Sequence, residues 1–415
     1  MRRLFLALVF ICLGGGWVYA EPTVLEVEDS FISGRPFGAR AEIRYDVSAS
    51  FVQVNRELIC LTSAQPQLCP AENTSLIARE FDARRIQHRM IVDTRFGIYQ
   101  DLELGVELPI VLLDQVTLGY APGVGPINTL LGNHLTPIPF AGPKRGGLGD
   151  ITLRLRGALA HHQRHPGTPA LVMELAYTLP SAPTMRANNA NVGSGVHGLA
   201  LRLDTAYPAQ PNLHPRFGVA AKMFFVADED LYVTGFKTQG VSAPGPELGV
   251  YGGLSIFAWR KSEQNFLTLD LRGDAQYSFE GRSPTIMFEP IGTSQCSLNP
   301  QCSTTSFPAT GSVSNGITHV QGHMTVGGSL GVRYRFHPRF EFIGRAFGRY
   351  SPSYFLSYGV NGVDLDGNGQ VETNNALGQN EFSPVYAPGL DEPGQRLKAS
   401  MQVEVGGYVG LSGRY

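Results

Sequence analysis

Met401-Gln-Val-Glu-Val-Gly-Gly-Tyr-Val-Gly-Leu-Ser-Gly-Arg-Tyr415 closes the sequence, and its alternation decides the fold. In an extended strand Met401, Val403, Val405, Gly407, Val409, Leu411, Gly413 and Tyr415 share one face, while Gln402, Glu404, Tyr408, Ser412 and Arg414 share the other. An apolar strand left at a sheet edge in water templates aggregation. This one is expected instead to close a barrel whose outer face meets lipid, and to be the strand that outer-membrane assembly machinery engages.

The opposite end agrees. Met1 to Arg3 form a short cationic region, Leu4 to Leu13 an apolar one, and Val18-Tyr19-Ala20 sets small or modest side chains at a cleavage position. Residues 1–20 therefore read as a signal peptide, residues 21–38 as a periplasmic segment that either plugs the barrel mouth or leads into it, and residues 39–415 as the barrel. A lipoprotein reading through Cys12 fits poorly, because Ile11 precedes it.

Composition sorts the remaining classes. Charged residues make up 16% of the 415 and glycines number 49, and outside the leader no apolar run reaches the length of about 18 residues that a spanning helix needs. Many short strands joined by turns fit this composition. The formal charge of -2 recommends neither nucleic acid nor an acidic polymer as partner.

Period-two segments recur along the chain: 41–54, 86–99, 102–112, 151–159, 171–179, 199–207, 217–225, 248–259, 266–279, 324–336 and 340–350. With the C-terminal strand they predict an all-β, antiparallel, up-and-down transmembrane barrel of about 12 strands. Short links near residues 100–101, 161–168, 210–215, 261–265 and 337–339 belong to the periplasmic rim, and the long ones to the extracellular rim. A soluble β-sandwich also alternates, but it has no use for aromatics at strand ends. Tyr99, Tyr177, Tyr207, Trp259, Tyr277, Phe279, Tyr334, Phe336, Phe340, Tyr350 and Tyr415 occupy such positions, as interfacial girdles require.

The other strand face carries charge of both signs. Arg89, Asp93, Arg95, Arg154, Arg156, Glu174, Arg202, Asp204, Asp270, Arg272, Asp274, Arg333, Arg335, Arg345 and Glu404 are expected to line the lumen. Such an array either borders a solute path in water or pairs up to stiffen a filled interior.

In the predicted external loops, Cys60 with Cys69 and Cys296 with Cys302 are spaced for two local disulfides in an oxidising compartment. Asp364, Asp366, Asn368, Gln370 through its carbonyl and Glu372 match the first half of an EF-hand calcium loop. The second half departs from it, with Asn375 at the twelfth position, and a polar Asx-rich turn explains the same residues without metal. Apart from this calcium, no cofactor is required. No HExxH motif occurs, and His88, His319 and His323 have no evident Ser and carboxylate beside them, so the chain reads as a non-enzyme.

Gly146-Gly-Leu-Gly-Asp150-Ile-Thr-Leu-Arg-Leu-Arg156, preceded by Phe96-Gly-Ile-Tyr-Gln-Asp-Leu-Glu-Leu-Gly-Val-Glu-Leu-Pro109, resembles the outer-membrane barrels of the meta-pathway phenol degradation transporter type, distantly similar to fatty-acid channels. The likeness covers residues 85–179, with Asp150 opening a strand, and it implies passage of small apolar or aromatic molecules. The expectation is an outer-membrane channel of a Gram-negative envelope for passive uptake of small solutes. The alternative is a structural or surface-interaction barrel whose stapled loops bind an external partner.

Overall fold

The computed structural model describes residues 25, 27–28, 37–60, 74–125, 138–160, 168–232, 243–262, 265–294, 315–372, 374–378, 380–383, 385–386 and 388–415. Twelve long antiparallel strands form the wall: β1 (Ala39–Cys60), β2 (Thr74–Tyr99), β3 (Leu102–Tyr120), β4 (Thr152–Ala160), β5 (Ala170–Thr178), β6 (Val196–Ala206), β7 (Leu213–Val226), β8 (Glu247–Ser262), β9 (Asn265–Ser278), β10 (His323–His337), β11 (Phe340–Ser351) and β12 (Leu397–Arg414). Each pairs with its sequence neighbour, and β12 returns to β1 in a register running from Arg40 opposite Arg414 to Arg56 opposite Leu397. Closure leaves no strand edge in the wall.

The pleat sorts the side chains as the alternation requires. Ile43, Leu201, Val250, Leu271, Leu330 and Val409 are half or more exposed on the outside, although all are apolar. An apolar belt of this extent belongs in a bilayer. Aromatic residues bound it. Tyr99, Trp259, Tyr334, Phe336 and Phe340 are exposed toward the short-turn end, with Trp259 and Tyr334 rings 6.4 Å apart. Tyr177, Tyr277, Phe279 and Tyr350 are exposed toward the long-loop end.

Three strands outrun their sequence pattern. β1, β2 and β3 span 22, 26 and 19 residues, well past the 9–11 or so that a tilted strand needs to cross hydrocarbon. Their outer ends stand above the membrane, where Arg79 and Asp82 pair on the surface and no period-two apolar pattern is imposed. By contrast β4 and β5 have only nine residues each, and the wall above them is completed by loop segments. Arg145–Leu148 pairs with β3 there. Asp150 does not open β4, which starts at Thr152. Its carboxylate instead accepts the Ala182 N–H (3.1 Å) and the Ser194 N–H (2.8 Å), pinning the 181–194 segment to the wall.

The two mouths are filled differently. At the short-turn end Leu25 and Val27 are buried against Ala170, Val172, Ala206, Phe257 and Phe266. These two residues of the N-terminal segment thus lie against the inner face of the wall at that mouth. At the long-loop end α1 (Glu229–Tyr232) and α2 (Phe288–Gly292) fold inward. Met287 and Ile291 join Val54, Phe81, Leu118, Val320, Leu356 and Leu397 in one core, while Phe288 joins Leu231, Tyr232 and Ile317 in another. The loops thus make an apolar cap over the mouth. Residues 1–20, Cys69, Cys296, Cys302 and the histidines at 161–165 lie outside the described residues, as do the expectations placed on them.

Candidate functional site

Beneath the cap lies a chamber of about 440 Å³. Ile286, Val320 and Tyr354 contribute from the cap, Ser48 and Ser50 from β1, Arg85 and Gln87 from β2, Phe224 from β7, Glu247 from β8, and Gln402 and Glu404 from β12. The β residues reach it because each occupies the inward phase of its strand. Tyr354 lies parallel to His323, with ring centroids 3.8 Å apart, and its hydroxyl donates to Gln402 Oε1 at 2.6 Å.

Arg85 connects the chamber to the cap. Its Nε donates to Asp114 Oδ1 at 2.7 Å, and Gln87 donates to Oδ2 of the same carboxylate at 3.2 Å. Asp114 on β3 stands opposite Arg145 in the ladder. Arg145, almost wholly buried, donates to Glu289 Oε1 on α2 at 2.7 Å and to the carbonyls of Arg186, Asn189 and Asn191 at 2.8, 2.9 and 3.0 Å. One guanidinium therefore ties wall, cap helix and outer loop together. Burial pushes the Glu289 carboxyl up, and the Arg145 hydrogen bond opposes that. Gly142 makes room for it: a Cβ there would sit 1.8 Å from Glu289 Oε2.

Farther toward the short-turn end the lumen is crossed by ion pairs. Asp93 meets Arg95 at 2.7 Å and Arg154 at 3.2 Å, and Arg154 also reaches Glu107 at 2.6 Å. Arg156 bridges Glu103 and Glu174. Glu341 gathers Arg40, Arg333 and Arg335 at 3.3, 3.4 and 2.9 Å. On the facing strands Arg202 pairs with Asp204 at 2.8 Å, Arg216 with Asp270 at 3.2 Å, and Arg349 lies 3.7 Å from both Asp274 and Glu404. Arg89 is 3.7 Å from Asp46. Arg272 and Arg345 lie against rings instead, 3.8 Å over Tyr251 and 5.9 Å from Tyr408. Glycines on the inner face give the long side chains room to lie flat. At Gly218 a Cβ would meet Tyr251 Cε1 at 2.1 Å.

Sequence reasoning named fifteen lumen residues, and the structure brings thirteen of them into ion pairs and sets the other two against tyrosines. It missed Arg216 and Tyr251, which the same alternation would have supplied, and Arg145 and Glu289, which no periodicity marks. The histidines differ from expectation in one respect. His319 Nε2 is 2.7 Å from Glu280 Oε1, so it does have a carboxylate beside it, contributed by a neighbouring loop position.

In the loop before β12, Asp364 accepts the N–H groups of Gly367 and Gly369, each at 2.7 Å, and Asp366 accepts that of Asn368 at 3.1 Å. Asn368 Oδ1 accepts the Gln370 N–H at 2.7 Å. The carboxylate that joins the two aspartates is Glu381, with the three oxygens within 4.8 Å of one another. Glu372 turns its backbone N–H to Glu381 Oε2 at 3.0 Å. Hydrogen bonds hold both Asp364 and Glu381 below the usual carboxylate range, from Gly369 first in the one case and from Asn375 first in the other.

No protein-family model matches the sequence, and no curated protein matches it. Solved structures with a similar chain trace include an outer-membrane channel from Pseudomonas putida F1, at 10% identity and TM-score 0.41, covering 96% of this chain and 100% of that one. The outer-membrane protease OmpT of Escherichia coli follows at 7% identity and TM-score 0.32, with 91% and 97% covered. A Pseudomonas aeruginosa FadL homologue has 9% identity and TM-score 0.32, with 91% and 90% covered. All are similar in being outer-membrane barrels, and at these scores they carry no argument about solute or chemistry.

Proposed function

We propose that the chain is an outer-membrane channel that lets small ring-sized solutes, apolar on at least one face, pass down their concentration gradient. One observation carries this reading: a closed wall with an apolar exterior encloses a chamber of about 440 Å³ between a loop cap and a charged lumen. A barrel serving only as a surface scaffold has no need of an interior space lined by groups of both kinds. In the membrane orientation common to such barrels the long loops and the cap face outward, and the short turns with Leu25 and Val27 face the periplasm. Arg89, Asp93, Arg154 and Asp270 then border the path below the chamber, which Glu404 lines.

The outer mouth is covered, so passage requires the cap to move aside. The Arg145–Glu289 pair is the fastening on the outer side. Calcium belongs to this reading as an ordering ligand of the outer loop, held by Asp364, Asp366 and Glu381. Swelling of liposomes loaded with an impermeant osmolyte tests the channel. Entry of cyclohexanol-sized solutes above the rate of protein-free vesicles supports it. Swelling equal to that of empty vesicles, from barrel that is folded and inserted, contradicts it.

A further inference from the structure

The ion pairs of the lumen leave two cations over. Asp204 is taken by Arg202 at 2.8 Å and by the Tyr251 hydroxyl, Asp270 by Arg216 at 3.2 Å and by Ser255, and Asp274 faces Arg349 at 3.7 Å. Among the described residues Arg272 of β9 and Arg345 of β11 have no carboxylate within 4 Å and donate no hydrogen bond. Each lies against a tyrosine ring instead, which offers a cation far less than a carboxylate does. The two are close enough to repel. Arg345 reaches across Gly331, where a Cβ would meet its Nε at 3.2 Å, and it is a charge neighbour of both Arg216 and Arg272. The Nε atoms of Arg345 and Arg216 are shut off from solvent and lack a hydrogen-bond partner, while the Arg272 and Arg345 side chains are partly open to the lumen. Like charges gathered without counter-ions, with buried donors unfilled, are costly, and an anion seated among them offsets both costs.

We infer that the lumen carries an anion site between Arg272 and Arg345, and that it takes one doubly charged tetrahedral oxyanion of the sulfate or hydrogen phosphate kind. Two uncompensated guanidinium groups match its charge, and their flat N–H edges match its oxygens in pairs. Tyr251 and Tyr408 hold the guanidinium groups in place from the wall side. Neither arginine lines the chamber beneath the cap, so the site is separate from that space and does not depend on which neutral solutes pass.

Calorimetric titration of the purified full chain in non-ionic detergent with sodium sulfate, at an ionic strength held constant with sodium chloride, tests the inference. Saturable binding is expected, at least about tenfold tighter than that of sodium acetate. Arg272→Gln and Arg345→Gln are each expected to weaken sulfate by about tenfold or more. Arg345→Lys keeps the charge but loses the planar fork, and is expected to weaken it by less. Arg79→Gln, at the exposed pair with Asp82, is expected to leave it unchanged. Each variant is compared as barrel with native heat-modifiable mobility, so that lost binding is not lost folding. Absence of saturable sulfate binding by the folded wild type overturns the inference. So does acetate binding as tight as sulfate, or a sulfate affinity that survives both lumen substitutions.

Discussion

Arg145 and Glu289 meet at 2.7 Å between the barrel wall and the cap helix, with side chains only 1% and 5% exposed. Removing one partner of such a pair strands a buried charge, at a cost of about 3–5 kcal/mol. Arg145→Ala is therefore expected to loosen the cap rather than the wall. Hydrogen exchange should accelerate at residues 181–194 and 286–292 while the strands β9 to β12 keep their protection. Unchanged exchange in the cap would show that Arg145 does not fasten it.

The inner-face glycines are spatial necessities in this fold. Gly218→Val sets side-chain atoms where Tyr251 lies and disturbs its hydrogen bond to Asp204. Overpacking of this kind costs about 1–3 kcal/mol. Urea titration in lipid vesicles should show that loss for Gly218→Val, and little change for Gly119→Ala, where a Cβ meets nothing within 4 Å.

The outer belt should reject charge. Leu271 is 56% exposed midway along β9 and faces the same belt as Leu254 and Leu330. Leu271→Arg is expected to destabilise the barrel by about 2–4 kcal/mol in a bilayer, the penalty for a cation near the midplane. Arg272→Gln, one residue along and facing inward, should not. Equal effects of the two substitutions would contradict the assigned faces.

The loop at 364–382 should depend on pH in one direction. Asp364 and Glu381 have folded pKa values below their unfolded ones, which lie near 4. Such groups stabilise the fold above the unfolded pKa, and that stabilisation is lost as pH falls through the folded values. Amide protection in this loop is expected to stay constant from about pH 8 to 5 and to fall below about pH 4. Added calcium should extend protection to lower pH in the wild type and not in Asp364→Asn. A loop that becomes better protected in acid would reverse the sign of the argument.

The wall was legible in the sequence because lipid outside and ionic side chains inside impose a period of two on every residue that crosses the membrane. Leu271 and Arg272, or Val409 and Tyr408, announce opposite faces by type alone. Above the membrane that constraint lapses, which is why the outer ends of β1 to β3, with Glu57, Arg79 and Asp82, read as loop. The cap was hidden for another reason. Met287 and Ile291 come from one loop and Leu356 and Leu390 from another, and the two pairs meet only through the closure of the barrel. Arg145 sits beside a glycine-rich stretch that reads as a turn, and its partner Glu289 lies far along the chain. Glu381 was missed as the third carboxylate because the calcium pattern counts along the sequence, whereas the loop folds back to bring it to Asp364 and Asp366.

Single-channel recording in planar bilayers, wild type beside Glu289→Ala, tests most directly whether this barrel is a channel closed by its own loops. Brief, infrequent openings are expected from the wild type, and a clearly higher open probability when the Arg145 fastening is removed. Silence from both proteins, once folded barrel is shown to be inserted in the membrane, would contradict the account.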